Sequence, residues 1–141
     1  MTQKILFDTS FYIRSLRQDD RPNLRNSSGS TNRIYLCAVV VEELFAGAAD
    51  TKSLKALRTF EESFSKVNRL IVPNQSDWTS TGLILNKIGR KYGFDRIGKQ
   101  KLTNDALLAA TAGRLGIRIV TANARDFTLL REFRNFEFEV I

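Results

Sequence analysis

Histidine is absent from all 141 residues, and that absence removes whole classes of chemistry. Serine–histidine hydrolases, histidine-dependent ribonucleases and metal nucleases with imidazole ligands cannot be assembled from this chain. Any hydrolysis must therefore run on carboxylates, hard metal ions or both. The single cysteine, Cys37, excludes an internal disulfide, and without imidazole the usual zinc sites are excluded too. Cys37 sits in the run Ile34-Tyr35-Leu36-Cys37-Ala38 and reads as a small buried hydrophobe. No stretch approaches the roughly 18 uninterrupted apolar residues of a membrane-spanning helix, and the run after Met1-Thr2-Gln3-Lys4 is too short for a signal-peptide core. The expectation is a soluble, cytoplasmic protein with no membrane partner.

What is present suffices for one domain over residues 1–141: 43% of the residues are hydrophobic, enough for a real core. The formal charge is +7, which suits a binder of phosphate backbones, although a basic surface kept for solubility gives the same number. Against that basic background, four acids abut segments that read as core. Asp8 follows Ile5-Leu6-Phe7, Glu43 lies in Val39-Val40-Val41-Glu42-Glu43-Leu44, Asp105 in Thr103-Asn104-Asp105-Ala106-Leu107, and Asp126 after Val120-Thr121-Ala122-Asn123-Ala124-Arg125. A carboxylate beside a buried segment costs several kcal/mol unless something neutralises it, and a shared divalent cation is the economical explanation.

The elements alternate. Lys4 to Phe7 reads as a buried strand, and Asp8-Thr9-Ser10 opens a helix over Phe11 to Leu16, which places Asp8 at a strand's carboxyl end, where open α/β sheets bind ligands. Residues 17–33 lapse into turn chemistry, either a functional flap or a disordered insertion. A strand at Ile34 to Leu36 leads to a helix from Ala38 to Ala48, on which Glu43 leans toward Val39 and Val40 while Glu42 is solvated. A helix from Thr51 to Lys66, capped by Asp50, carries the stripe Leu54, Leu57, Phe60 and Phe64, which is core or interface. Leu70-Ile71-Val72 is a strand stopped by Pro73; Ser76 and Asp77 open a helix bearing Trp78, Leu83, Leu85 and Ile88 that stops at Gly93. Thr103 to Leu115 is a helix ended by Gly116, with Asp105 in its first turn, where capping alone would also explain an acid. Ile117 to Thr121 is a strand, Asn123 caps a short turn, and Phe136 to Ile141 is a last strand. The order predicts an α/β fold with a mostly parallel sheet of about five strands, covered by helices on both faces.

With the acids on this order of elements, the chain resembles PIN-domain proteins, most closely the VapC-type ribonuclease toxins of type II toxin–antitoxin modules. The resemblance covers nearly the whole length. It rests on Leu6-Phe7-Asp8-Thr9-Ser10-Phe11-Tyr12-Ile13, on Val41-Glu42-Glu43-Leu44-Phe45-Ala46-Gly47, on Asn104-Asp105-Ala106-Leu107-Leu108-Ala109-Ala110-Thr111-Ala112, and on Val120-Thr121-Ala122-Asn123-Ala124-Arg125-Asp126-Phe127. Each piece alone is weak, but four in the right order are strong. Cys37 stands where the family commonly has serine, and the 17–33 loop is longer than usual.

The resemblance implies an acidic site of Asp8, Glu43, Asp105 and Asp126, with Ser10 and Thr121 as hydroxyl supports. It implies an endoribonuclease that hydrolyses RNA phosphodiesters with Mg²⁺ or Mn²⁺ and an activated water, leaving 5′-phosphate and 3′-hydroxyl ends. Asp8 and Asp105 are the expected direct ligands; Glu43 and Asp126 act through water or complete a second site. It further implies a VapB-like antitoxin as partner and a homodimer. Independently of the family, oxygen-only ligands match Mg²⁺, which takes one or two carboxylates and keeps several waters. Lys87, Arg90, Lys91, Arg96, Lys99 and Lys101 lead into Asp105 with Tyr92 and Phe94 among them, a candidate grip on phosphates and bases or a solvated face. Arg14 and Arg125 are the cations nearest the acids in sequence. The rival functions are a PIN-type nuclease of RNA or DNA processing with no antitoxin, and a nucleic-acid-binding module that does not cut. Nucleotide hydrolysis fits worse, for the chain has no Gly-x-x-x-x-Gly-Lys-Ser/Thr loop.

Overall fold

In the computed structural model, which describes residues 3–17 and 32–141, the first strand β1 (Lys4–Phe7) lies at the centre of the sheet. It is followed by α1 (Thr9–Arg17), β2 (Arg33–Cys37), α2 (Ala38–Ala46), α3 (Thr51–Ser65), β3 (Leu70–Ile71) and α4 (Gln75–Tyr92). A short 3₁₀ turn at Phe94–Arg96 leads to α5 (Gln100–Leu115), β4 (Arg118–Thr121), α6 (Ala124–Arg131) and β5 (Phe138–Val140). Among the described residues the sheet has five strands in the order β3-β2-β1-β4-β5, every neighbour pair parallel. The expected α/β class and parallel sheet are those observed.

Parallel strands need covering on both faces, and the central ones are covered. Leu6, Leu36, Cys37, Ile119 and Thr121 are fully buried, with Ile5 and Val120 nearly so, so successive residues on opposite faces both meet protein. Phe127 and Leu130 from α6, Ile88 from α4, Leu108 from α5 and Val40 from α2 fill the space against them. Each such side chain contributes on the order of 1.5–3 kcal/mol of burial. Burial also pushes the Cys37 thiol up to about 11, so this side chain behaves as a buried hydrophobe.

The strand order decides where a ligand can sit. From β1 the chain builds outward through β2 to β3, then returns to the other side of β1 for β4 and β5. The crevice at the carboxyl ends of β1 and β4 is therefore the point where the winding reverses, and loops leave it in opposite directions. Asp8 and Thr121 stand at those two strand ends. The Asp8 amide donates to the Val120 carbonyl at 3.1 Å, carrying the β1–β4 pairing one residue past β1 and fixing the Asp8 backbone at the edge.

Several boundaries differ from expectation. Helix α1 begins at Thr9 because Asp8 is its cap, the Asp8 side chain accepting from the Phe11 amide at 3.2 Å. Helix α2 ends at Ala46, two residues early, where Gly47 closes it. Helix α4 begins at Gln75, since Asn74 accepts from the Asp77 amide while Asp77 accepts from the Asn74 amide, a reciprocal capping box. Helix α5 begins at Gln100, three residues earlier than expected, and β5 is confined to Phe138–Val140. Gly116 ends α5 as expected, at φ 68° in the left-handed region open to glycine. The 17–33 loop lies outside the described residues except at its ends: Arg17 closes α1, and Arg33 opens β2.

One buried charge is structural. Asp77, 2% exposed, receives the Arg114 guanidinium as a two-pronged partner, Nε to Oδ1 and Nη2 to Oδ2, both at 2.8 Å. Asp77 opens α4 and Arg114 closes α5, so the pair ties the two helices antiparallel. Burial alone would raise the Asp77 carboxyl, but the Arg114 hydrogen bonds, the Asn74 amide and the guanidinium charge together hold it below the ordinary aspartate value.

Candidate active site

Asp8 is 2% exposed at the end of β1, and both of its oxygens are engaged. The Ser10 hydroxyl donates to Oδ1 and the Thr121 hydroxyl to Oδ2, each at 2.6 Å. Those hydroxyls are themselves aimed by the backbone after β4: the Ala122 amide donates to Ser10 Oγ at 3.1 Å, and the Asn123 amide to Thr121 Oγ1 at 2.8 Å. Two backbone amides thus orient two hydroxyls that orient one carboxylate, across the β1–β4 crevice. Hydrogen bonds to a carboxylate are short and strong, so the arrangement is rigid.

Glu43 arrives from α2. Its Oε1 accepts from Thr9 Oγ1 at 2.9 Å and the side chain is half-buried, whereas Glu42 is exposed. Burial raises the Glu43 carboxyl above its usual value; Thr9, the Lys101 charge and Asn104 oppose this, and Glu42 adds to it.

Asp105 is 3% exposed and, with α5 starting at Gln100, occupies the second turn instead of the first. It is too far into the helix to cap it, so the capping explanation falls. Its carboxyl is pushed up to about 8, by burial first and then by the negative charges of Asp8, Asp126 and Glu43, with Lys101 in opposition. Asp8, Asp126 and Glu43 therefore lie within electrostatic reach of Asp105, where their repulsion is felt.

Asp126 lies in the first turn of α6, half-buried. Asn123 caps that helix as expected, accepting from the Asp126 amide at 3.4 Å. It does something more: its Nδ2 donates to Asp105 Oδ2 at 3.3 Å and to Asp126 Oδ2 at 3.0 Å, bridging the two carboxylates. Sequence reasoning gave Asn123 only the cap, and the second role needed the position of α5.

These groups fit a divalent cation. The donors are hard oxygens only, Asn123 holds Asp105 and Asp126 on one amide, and Asp8 and Glu43 add negative charge there. Among the described residues no three Asp, Glu or Cys side chains form a group that could hold a metal ion; a hard cation that takes one or two carboxylates and keeps its waters is the kind these oxygen donors match.

The Asp105 shift has a measurable consequence. At pH below about 4 the group is protonated both in the fold and in the unfolded chain and costs nothing. Between there and about 8 the unfolded chain has released a proton that the fold retains, so stability declines as pH rises. In chelator, Asp105→Asn should be more stable than wild type at pH 8, with the advantage shrinking toward pH 4. Thermal unfolding at both ends of that range checks it.

The expected cations divide. Lys101, on the first turn of α5, reaches the acids electrostatically. Lys91 is engaged elsewhere, its Nζ 3.0 Å from Glu132 Oε1. Lys87, Arg90, Arg96, Lys99 and Arg125 are exposed, and Arg14 Nη1 lies 3.4 Å from the Ile141 carbonyl.

The family model of the PIN domain matches residues 5–132. Among solved structures the chain is similar to VapBC2 from Rickettsia felis bound to a DNA fragment from their promoter, at 19% identity and TM-score 0.69, covering 99% of both chains. It is also similar to DNA-bound VapBC from Salmonella typhimurium, at 20% identity and TM-score 0.68, covering 99% of this chain and 98% of the other. VapBC-1 from nontypeable Haemophilus influenzae aligns at 18% identity and TM-score 0.67 over 98% of each chain. At these identities the likeness is one of fold. A search of curated proteins finds no match.

Proposed function

The chain belongs to the PIN-domain family, and from that premise we propose that it is a Mg²⁺- or Mn²⁺-dependent endoribonuclease, the VapC-like toxin of a toxin–antitoxin pair, acting in the cytoplasm. The observation that carries the reading is the placing of Asp8, clamped by Ser10 and Thr121 at the sheet's switch point, within electrostatic reach of a buried Asp105 that also feels Asp126 and Glu43.

Asp8 and Asp105 would hold the ion directly, with Glu43 and Asp126 binding through water or completing a second site. When bound, the ion lowers the pKa of a water and shields the substrate phosphate from the acids. The protein's own contribution is orientation. Ser10 and Thr121 clamp both oxygens of Asp8, Thr9 fixes Oε1 of Glu43, and Asn123 spaces Asp105 from Asp126. Arg14, Arg125, Lys101 and the cations of the α4–α5 connection hold the phosphates of the RNA. The VapBC complexes whose fold it shares support a VapB-like antitoxin as partner, and the working unit in this reading is a homodimer.

Purified, partner-free protein incubated with total cellular RNA tests this. Discrete cuts that require Mg²⁺ or Mn²⁺ and stop with chelator are expected. Tight metal-independent RNA binding without cutting would replace the nuclease by a binding module.

A further inference from the structure

Two aromatic rings lie at the connection between α4 and α5, and the fold treats them differently. Tyr92 is occupied. Its hydroxyl donates to both Glu132 oxygens at 2.8 and 3.2 Å, Lys91 Nζ stands 5.1 Å from the ring centroid and the Arg96 guanidinium 5.8 Å, and Phe133 meets it edge-on at 6.5 Å. Phe94 has no such partner among the described residues and is 55% exposed. It rests instead on bare backbone: a Cβ built on Gly89 would fall 2.5 Å from Phe94 Cδ1 and 2.6 Å from Cε1, so the ring keeps this seat only because residue 89 has no side chain. One flank is supported and the remainder faces solvent.

The ring belongs to the connection that leads into α5, the helix that carries Asp105. Helix α5 runs into β4, so its first residues lie at the carboxyl edge of the sheet, where the Lys101 charge acts on Glu43 and Asp105. Arg90, Arg96, Lys99 and Lys101 are exposed along the same connection. A seated, solvent-facing ring among cations is the combination that single-stranded nucleic acid uses, base on ring and phosphate on charge.

We propose that Phe94 is the platform on which an unpaired base of the RNA stacks while these cations hold the flanking phosphates, so that the substrate is single-stranded where it crosses the α4–α5 connection. This rests on the nuclease reading above.

The test is binding of a single-stranded RNA dodecamer containing 2-aminopurine, in chelator and at low salt. Wild type should quench the fluorescent base. Phe94→Ala and Phe94→Leu should lose the quench and bind about tenfold more weakly, while Phe94→Trp retains both. The leucine variant keeps an apolar cover over Gly89 without a ring, so a loss there reports the missing π-face, and thermal unfolding confirms the fold. A fully paired RNA should bind all four proteins equally. Unchanged binding and quench in the alanine and leucine variants would overturn the proposal, and so would intact RNA binding with weakened binding of a protein partner. Cleavage with Mn²⁺ by the same wild-type preparation separates the two readings: cutting combined with a silent Phe94 sinks only the platform, and no cutting sinks the nuclease.

Discussion

Asp8→Asn should lower RNA cleavage by more than about 100-fold while leaving the fold intact. Outer partners of a metal site alone cost 10–100-fold when lost, and a direct ligand should cost more. The substitution is nearly isosteric, and asparagine caps a helix as well as aspartate does, so the bond to the Phe11 amide can survive. What changes is charge and donor sense. One of the two hydroxyls that now donate at 2.6 Å would face an amide N–H and have to turn, and the crevice would lose one of its negative charges. Steady-state cleavage with matched thermal unfolding curves checks this. Retention of cutting would make Asp8 a helix cap and nothing more.

Arg114→Ala should be the most destabilising change outside the core, by about 3 kcal/mol, because it leaves Asp77 buried at 2% exposure with no counter-charge. That corresponds to a fall in Tm on the order of 10 °C. Arg114→Lys should rescue little, since an ammonium cannot make both parallel bonds. The double variant Asp77→Asn with Arg114→Ala should recover part of the loss, for it removes the stranded charge. The pH dependence has the opposite sign to that of Asp105. The Asp77 carboxyl is held below its ordinary 3.8, so its contribution is present above that pH and fades as pH falls below it. Urea unfolding at pH 7 and pH 3 measures both effects.

The architecture was legible because it depends on pattern. Short apolar runs alternating with helical stretches predicted the parallel sheet, and Asp50, Asn123 and Gly116 announce helix ends by their chemistry. Asp8 was placed at a strand end from its neighbours alone. Helix α4 shows where pattern stops. Its buried stripe is Asp77, Thr81, Ile84 and Ile88, a regular helical spacing in which half of the letters are polar, whereas Trp78 and Leu83 are 57% and 58% exposed. Counting apolar residues finds Leu85 and Ile88 but misses Asp77 and Thr81, because the partner that makes Asp77 a core residue lies 37 positions away. The same limit applies at the site. The leaning of Glu43 followed from local helix geometry, while the bridge made by Asn123 and the true start of α5 depend on packing between elements distant in sequence.

The proposal that these four carboxylates hold a divalent ion is tested most directly by titrating partner-free protein with Mn²⁺ and following the free ion by electron paramagnetic resonance. Saturable binding by wild type, lost or weakened by more than about 100-fold in Asp8→Asn and Asp105→Asn and unchanged in Phe94→Ala, is the expected result. Absence of saturable binding by wild type, or equal binding by the two acid variants, would contradict a metal site at the β1–β4 crevice.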